Sequence, residues 1–121
     1  HSGDFREAGT VKLAYLLNSP LEAKKIGNQN GTLPEEYSLL SIDSENVICE
    51  TVKNAEDGDG VIVRLYECCN SRANVNLTLG FDFEDVYLID LLENEERKLR
   101  KHGRTVNLTL KPFEIVTLKL K

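Results

Sequence analysis

The sequence predicts an all-β domain, an antiparallel β-sandwich of about eight strands with Greek-key or jelly-roll-like connections. Three observations carry that prediction. Apolar and polar residues alternate with a period of two in one segment after another, while no stretch holds a helical stripe over three turns. The alternating segments recur at intervals of about a dozen residues, separated by turn-rich joints. The 121 residues, 40% hydrophobic and 29% charged, make one ordinary domain, and a chain of that size buries about two thirds of the surface it exposes when unfolded. A single open sheet of so many strands would leave an apolar face in water, so two packed sheets are expected.

Taken in chain order, the HSG of residues 1–3 reads as a cloning remnant and residues 4–121 as a single domain. With no initiating Met or targeting segment, the chain reads as an excised domain. The first strand is predicted at TVKLAYLLN, Thr10 to Asn18. A long joint, Ser19 to Glu36, holds two prolines and two glycines and reads as a surface crossover, which suits a Greek key. Strands follow at Tyr37 to Ile42, Asn46 to Asn54, Val61 to Glu67, Asn74 to Leu79, Asp85 to Leu92, Thr105 to Leu110 and Phe113 to Lys121. The charged ENEERKLRKHGR is predicted to form a hairpin around a short strand at Lys98 to Arg100. The core expected from this alternation comprises Val11, Leu13, Val47, Val61, Val63, Leu65, Leu77, Leu88, Leu108 and Leu118.

Charge and cysteine usage narrow the function. At a net charge of -5, with basic residues clustered only in RKLRKHGR, the chain lacks the footprint of a nucleic-acid binder. No apolar run approaches the ~20 residues needed to cross a bilayer, so no membrane partner is expected. Cys49, Cys68 and Cys69 are odd in number and two are adjacent, a poor disulfide framework that suits a reducing compartment. Three glycosylation sequons begin at Asn30, Asn76 and Asn107, and carry no meaning in a cytosolic protein.

The stretch EDGDGVIVRLYE, Glu56 to Glu67, concentrates carboxylates in a glycine-containing turn. It fails as an EF-hand loop, because counting from Asp57 puts Val61 at position 5 and Cys68 at position 12. A looser calcium site on Glu56, Asp57 and Asp59 stays open. Solvated carboxylates in such a turn lack the raised pKa and fixed separation of a glycosidase acid pair. The structural reading is a hairpin turn in which Gly58 and Gly60 take positive φ and the aspartates cap. His102 sits among charges and reads as a solvated loop histidine, and Cys68, Cys69 and His102 form a poor zinc set. If Asn54 pairs with Gly60 across the turn, Val47, Cys49 and Thr51 share the core face with Val61, Val63 and Leu65. The other face then carries Ile48, Glu50 and Val52 beside Ile62, Arg64 and Tyr66, with Glu50 directly across from Arg64.

AYLLNSP, NVICETVKNAEDGDGVIVRLYE and LKPFEIVTLKLK, in that order and with LIDLLE and a V-N-L-T-L strand between them, resemble the C-terminal β domain of glycoside hydrolase family 38 α-mannosidases. The central stretch is similar to the family's N-V strand, K-x-A-E-D turn and R-x-Y-E strand, and the last to its P-F-E-I-x-T-L ending. The resemblance covers nearly the whole chain. It implies a parent enzyme that hydrolyses terminal α-mannosides with retention, using an aspartate nucleophile and zinc in an upstream catalytic domain. It places no catalytic or metal residue here, so the fragment itself is expected to be inactive and to hold no cofactor. The expected partners are the catalytic and central domains of the same polypeptide, with oligosaccharide bound only through the parent. The cysteines and the missing signal point to the cytoplasmic branch, with a bacterial source expected. The apolar outer face of the hairpin, Ile48, Val52, Ile62 and Tyr66 with Glu50 and Arg64, is then an expected interdomain interface, its alternative cover being the Ser19 to Glu36 crossover. An independent carbohydrate-binding sandwich is the alternative function, although the chain has no Trp for a sugar-stacking platform.

Overall fold

A computed structural model describes residues 3–28, 30–32 and 34–121; His1 and Ser2 of the expected remnant, and Gln29 and Leu33 of the predicted crossover, lie outside the described residues. The chain divides into two units, residues 1–36 and 37–121.

In the first unit the predicted strand is a helix, α1 (Thr10–Asn18). The alternation of Val11, Leu13, Tyr15 and Leu17 suits a strand, but Ala14 and Leu16 fill the gaps between them. Only Thr10 and Val11 are β-branched, and the leucines and alanine that follow are strong helix formers. Val11 and Leu13, expected in the core, therefore lie on a helix with no buried residue. Upstream, the Asp4 carboxylate accepts the backbone N–H groups of Arg6 and Glu7 at 2.8 and 3.2 Å. The Ser19 N–H closes the last turn on the Tyr15 carbonyl at 2.8 Å.

The second unit is all-β, with nine strands among the described residues: β1 (Leu40–Ile42), β2 (Val47–Asn54), β3 (Val61–Glu67), β4 (Ala73–Leu79), β5 (Val86–Ile89), β6 (Glu95–Lys98), β7 (Lys101–His102), β8 (Thr105–Leu110) and β9 (Ile115–Leu120). They form two sheets, ordered β1-β4-β8-β7 and β2-β3-β9-β5-β6, and the pairings are antiparallel. The two sheets enclose one core as a sandwich. Val75, Leu77, Leu79, Val106 and Leu110 of the smaller sheet meet Val63, Leu65, Val86, Leu118 and Leu120 of the larger. Val61, Leu88 and Leu108 pack against that core while partly buried.

Alternation explains β4 fully: Ala73, Val75, Leu77 and Leu79 point inward and Asn74, Asn76 and Thr78 outward. β9 breaks the rule. Val116 to Leu120 are all buried, because this strand lies between β3 and β5 and is covered on both faces. The predicted charged hairpin also resolves differently. ENEERKLRKHGR supplies two strands to different sheets, β6 beside β5 and β7 beside β8, and the chain changes sheets at Leu99 and Arg100. Half-buried Leu99 packs against the core at that step, and this burial fixes the crossing where a free hairpin was expected.

Candidate functional site

The outer face of the larger sheet carries the motif residues. In the turn between β2 and β3, the Ala55 N–H donates to the Gly60 carbonyl at 3.0 Å and the Gly58 N–H to the Ala55 carbonyl at 2.9 Å. Gly58 and Gly60 hold φ of 75° and 108°, as the turn reading requires. A Cβ on Gly60 would also overlap the Leu120 carbonyl oxygen, so glycine is needed there on two counts. Asp57 caps the turn by accepting the Asp59 N–H at 3.0 Å.

Every carboxylate of that turn faces an ammonium. Glu56 meets Lys53 at 2.6 Å, Asp57 meets buried Lys119 at 2.5 Å and Asp59 meets Lys121 at 3.0 Å. Lys53 also reaches Glu93 at 2.9 Å, and Glu93 accepts the Glu56 N–H at 2.8 Å. The hydrogen bond from Lys119 holds the Asp57 carboxyl below the usual carboxylate range, the reverse of what a general acid needs. A cation here would have to displace these lysines, so the looser calcium reading of Glu56, Asp57 and Asp59 does not fit. No group of three His, Cys, Asp or Glu able to hold a metal occurs among the described residues.

The hairpin register departs from the expected one. Asn54 pairs with Val61 rather than Gly60, and a bulge between Cys49 and Thr51 sets Thr51, not Glu50, opposite Arg64. The extra residue restores the expected parity below the bulge and reverses it above. Val52 is consequently opposite Val63 on the core side, at the exposed edge of the sheet, and leaves the predicted outer set. There it lines an apolar groove of about 500 Å³ with Leu39, Val61 and Phe81.

Three cross-strand rows make up the outer face. Lys53, Ile62, Lys119, Tyr87 and Lys98 form the first, running across five strands. Ile62 is fully buried there with Ala55 and Ile89, and Tyr87 packs on this second cluster, so the motif isoleucine is internal packing. In the second row the Arg64 guanidinium donates to the hydroxyl of Thr117 at 3.3 Å. The third row is Ile48, Tyr66 and Ile115, directly opposite one another on β2, β3 and β9. Ile115 is 58% exposed, and Phe113, just before the strand, is 60% exposed. An apolar patch thus occupies one end of this face, and Ile48, Arg64 and Tyr66 of the expected interface lie in or beside it.

Glu67 organises that end and was missed in the sequence. Its side chain shares the core parity of Val63 and Leu65, a signal for a buried carboxylate at the strand end. Glu67 is 1% exposed. Its carboxylate accepts the Phe113 N–H at 2.9 Å, the Cys69 N–H at 2.8 Å, the Asn46 amide at 3.1 Å and the Ser71 hydroxyl at 3.4 Å. Burial alone would raise its pKa, but these hydrogen bonds together outweigh burial and lower it. By gripping Phe113, which holds a φ of 56°, Glu67 ties the apolar patch to β3.

Two of the three thiols are poorly suited to nucleophilic chemistry. Burial, helped by the adjacent Cys69, pushes the Cys68 thiol up to about 11, and burial likewise raises Cys49. The three cysteines are unbridged, and His102 is exposed on β7. Asn76 and Asn107 of the sequons face each other across β4 and β8, with Asn76 also bonded to Asp43 at 2.6 Å.

Comparison with known proteins agrees with this fold. The profile of the glycosyl hydrolases family 38 C-terminal beta sandwich domain matches residues 46–118, more than half of the chain. Alpha-mannosidase 2C1 of Homo sapiens is 33% identical over 125 residues, covering 99% of this chain and 12% of that protein. Alpha-mannosidase 2C1 of Mus musculus is also 33% identical, with 99% and 12% covered. Alpha-mannosidase G of Dictyostelium discoideum is 26% identical, covering 98% of this chain and 11% of its own length. The chain belongs to glycoside hydrolase family 38, where its sandwich is the C-terminal β-sandwich domain. It spans about an eighth of the length of the curated relatives it matches. These three relatives are eukaryotic and give the expected bacterial source no support.

Proposed function

We propose that the chain is the non-catalytic structural domain of a retaining, zinc-dependent α-mannosidase that hydrolyses terminal α-mannosides in the cytoplasm. Residues 4–121 serve the enzyme as one part, and the zinc and the catalytic residues belong to other domains of the polypeptide. Family membership and the names of the relatives support the activity, and the unbridged cysteines support the compartment. The observation that carries the structural role is the apolar patch of Ile48, Tyr66, Ile115 and Phe113 beside Arg64. A patch of this kind, held in shape by a buried carboxylate, suits docking against a larger apolar surface better than contact with sugar hydroxyls. Its partner is the catalytic and central part of the same polypeptide, and substrate is met only through that part.

Replacing Phe113 and Ile115 by serine tests the role. Both side chains are exposed, so the melting temperature of the 121-residue chain should change by less than about 4 °C. In the longer polypeptide the same pair should speed heat inactivation of mannoside hydrolysis severalfold. An unchanged inactivation rate would show that the patch docks nothing.

A further inference from the structure

We propose that Cys68 and Cys69 form a dithiol site for a soft, thiophilic acceptor that takes two sulfurs, the class that fits being a trivalent arsenical with one organic substituent. Neighbouring side chains on a strand point to opposite faces, so adjacent cysteines within β3 would hold their sulfurs apart. β3 ends at Glu67, however, and the loop after it brings the two sulfurs to 3.7 Å from each other. All the residues of the site belong to the 37–121 unit.

Hydrogen bonds on both cysteines hold this loop. The Cys68 N–H donates to the Asn46 carbonyl at 2.9 Å and the Cys69 N–H to the Glu67 carboxylate at 2.8 Å. The Asn46 amide also donates to the Ser71 hydroxyl at 2.8 Å, and Asn70 turns the chain with a φ of 56°, which asparagine tolerates better than most residues. The sulfurs are therefore placed together by folding and need no further ordering when a ligand arrives. Cys68 is 8% exposed and Cys69 half-buried, so Cys69 receives the ligand and Cys68 closes the chelate.

The separation selects the acceptor. A disulfide needs about 2.05 Å between its sulfurs and usually Cα atoms more than about 4.4 Å apart, whereas adjacent residues fix their Cα atoms at about 3.8 Å. With sulfur–acceptor bonds of about 2.3 Å, as in zinc thiolates, the 3.7 Å separation gives an angle of about 107° at the acceptor. Structural zinc would require two further protein ligands, and no group of three His, Cys, Asp or Glu able to hold a metal occurs among the described residues. Trivalent arsenic with one organic substituent is complete with two sulfurs. Its oxide, R–As=O, takes up both thiols without a change of oxidation state: two S–As bonds form, the As=O bond breaks, and the two thiol protons leave with the oxygen as water.

Titration of the 121-residue chain with phenylarsine oxide tests the site. One equivalent should bind per chain and remove two of its three thiols from reaction with a thiol reagent. Excess glutathione should leave the adduct in place, and a 1,2-dithiol should release it. Cys69→Ser and Cys68→Ala should each weaken binding at least ~100-fold, because a single sulfur loses the chelate. Cys49→Ser, whose thiol faces the Thr51 carbonyl, should bind as wild type does. Because the folded loop presets the sulfurs, the arsenical should also raise the melting temperature of the wild-type chain. No adduct in the wild type, an adduct that survives glutathione in either single variant, or a melting temperature unchanged or lowered by the arsenical overturns the proposal. If neither variant accumulates as folded protein, the wild-type thiol count and melting shift decide.

Discussion

Removing the buried carboxylate of Glu67 should be among the most damaging single changes to the sandwich. The side chain accepts two backbone N–H groups, from Cys69 and Phe113, besides the Asn46 amide and the Ser71 hydroxyl. Glu67→Ala leaves both backbone donors without their acceptor at a site 1% exposed. At about 1.5 kcal/mol for each donor so orphaned, the loss is about 3 kcal/mol. Glu67→Gln keeps the volume and one acceptor oxygen but turns an NH₂ group toward a donor, costing about 1.5 kcal/mol. Urea denaturation of the 121-residue chain measures both, and a 3 kcal/mol loss corresponds to a melting point lower by about 15 °C.

The pH dependence gives a second, independent signature. Hydrogen bonding lowers the folded-state pKa of Glu67, while the unfolded value stays near the usual ~4.3. Between those values the unfolded chain binds more protons, so stability rises with pH. The carboxylate's contribution is fully present above about pH 5 and is lost as pH falls through the folded pKa. The stability gap between wild type and Glu67→Gln should therefore narrow on acidification from pH 5. Equal urea midpoints, or a gap that widens in acid, would refute the reasoning.

The remaining predictions concern the outer face. Gly60→Ala combines a φ of 108° with overlap of the Leu120 carbonyl, and should cost about 2–3 kcal/mol in urea unfolding. Ile62→Ser should lose about 3 kcal/mol in the chain alone, because this residue is fully buried with Ala55 and Ile89; a change under 1 kcal/mol, on the scale of about one methylene, would contradict the second cluster. Lys119→Met removes a buried ammonium whose partner Asp57 keeps contact with water. Its melting temperature should be unchanged or higher, since the change removes the one buried charge of the pair while Asp57, 58% exposed, is resolvated.

Most of the sandwich is legible in the sequence because its strands have one dry face and one wet one. Ala73 to Leu79 announces its register without ambiguity. The failures have particular causes. At Thr10 to Asn18 every second residue is apolar, but so are Ala14 and Leu16, and a run that fits both periods is settled by propensity. The bulge beside Glu50 is one residue long and leaves no mark in the alternation, yet it moves Val52 to the other face and replaces the expected Glu50 opposite Arg64 by Thr51. Ile62 looked like a surface anchor because parity alone cannot show that Ala55 and Ile89 cover it. Glu67 was visible by its parity with Val63 and Leu65, whereas the hydrogen-bond donors that make its burial tolerable come from segments as distant as Phe113. The ion pairs of the turn, Asp57 with Lys119 above all, likewise join residues far apart in sequence.

In the proposed function this domain supports an α-mannosidase without performing its chemistry. Assay of the purified 121-residue chain and of the longer polypeptide against an aryl α-mannoside, with zinc supplied to both, tests it most directly. Steady hydrolysis is expected from the longer polypeptide and none from the chain at any concentration. Turnover by the chain alone, lost on changing Asp57 or Asp59, would contradict it.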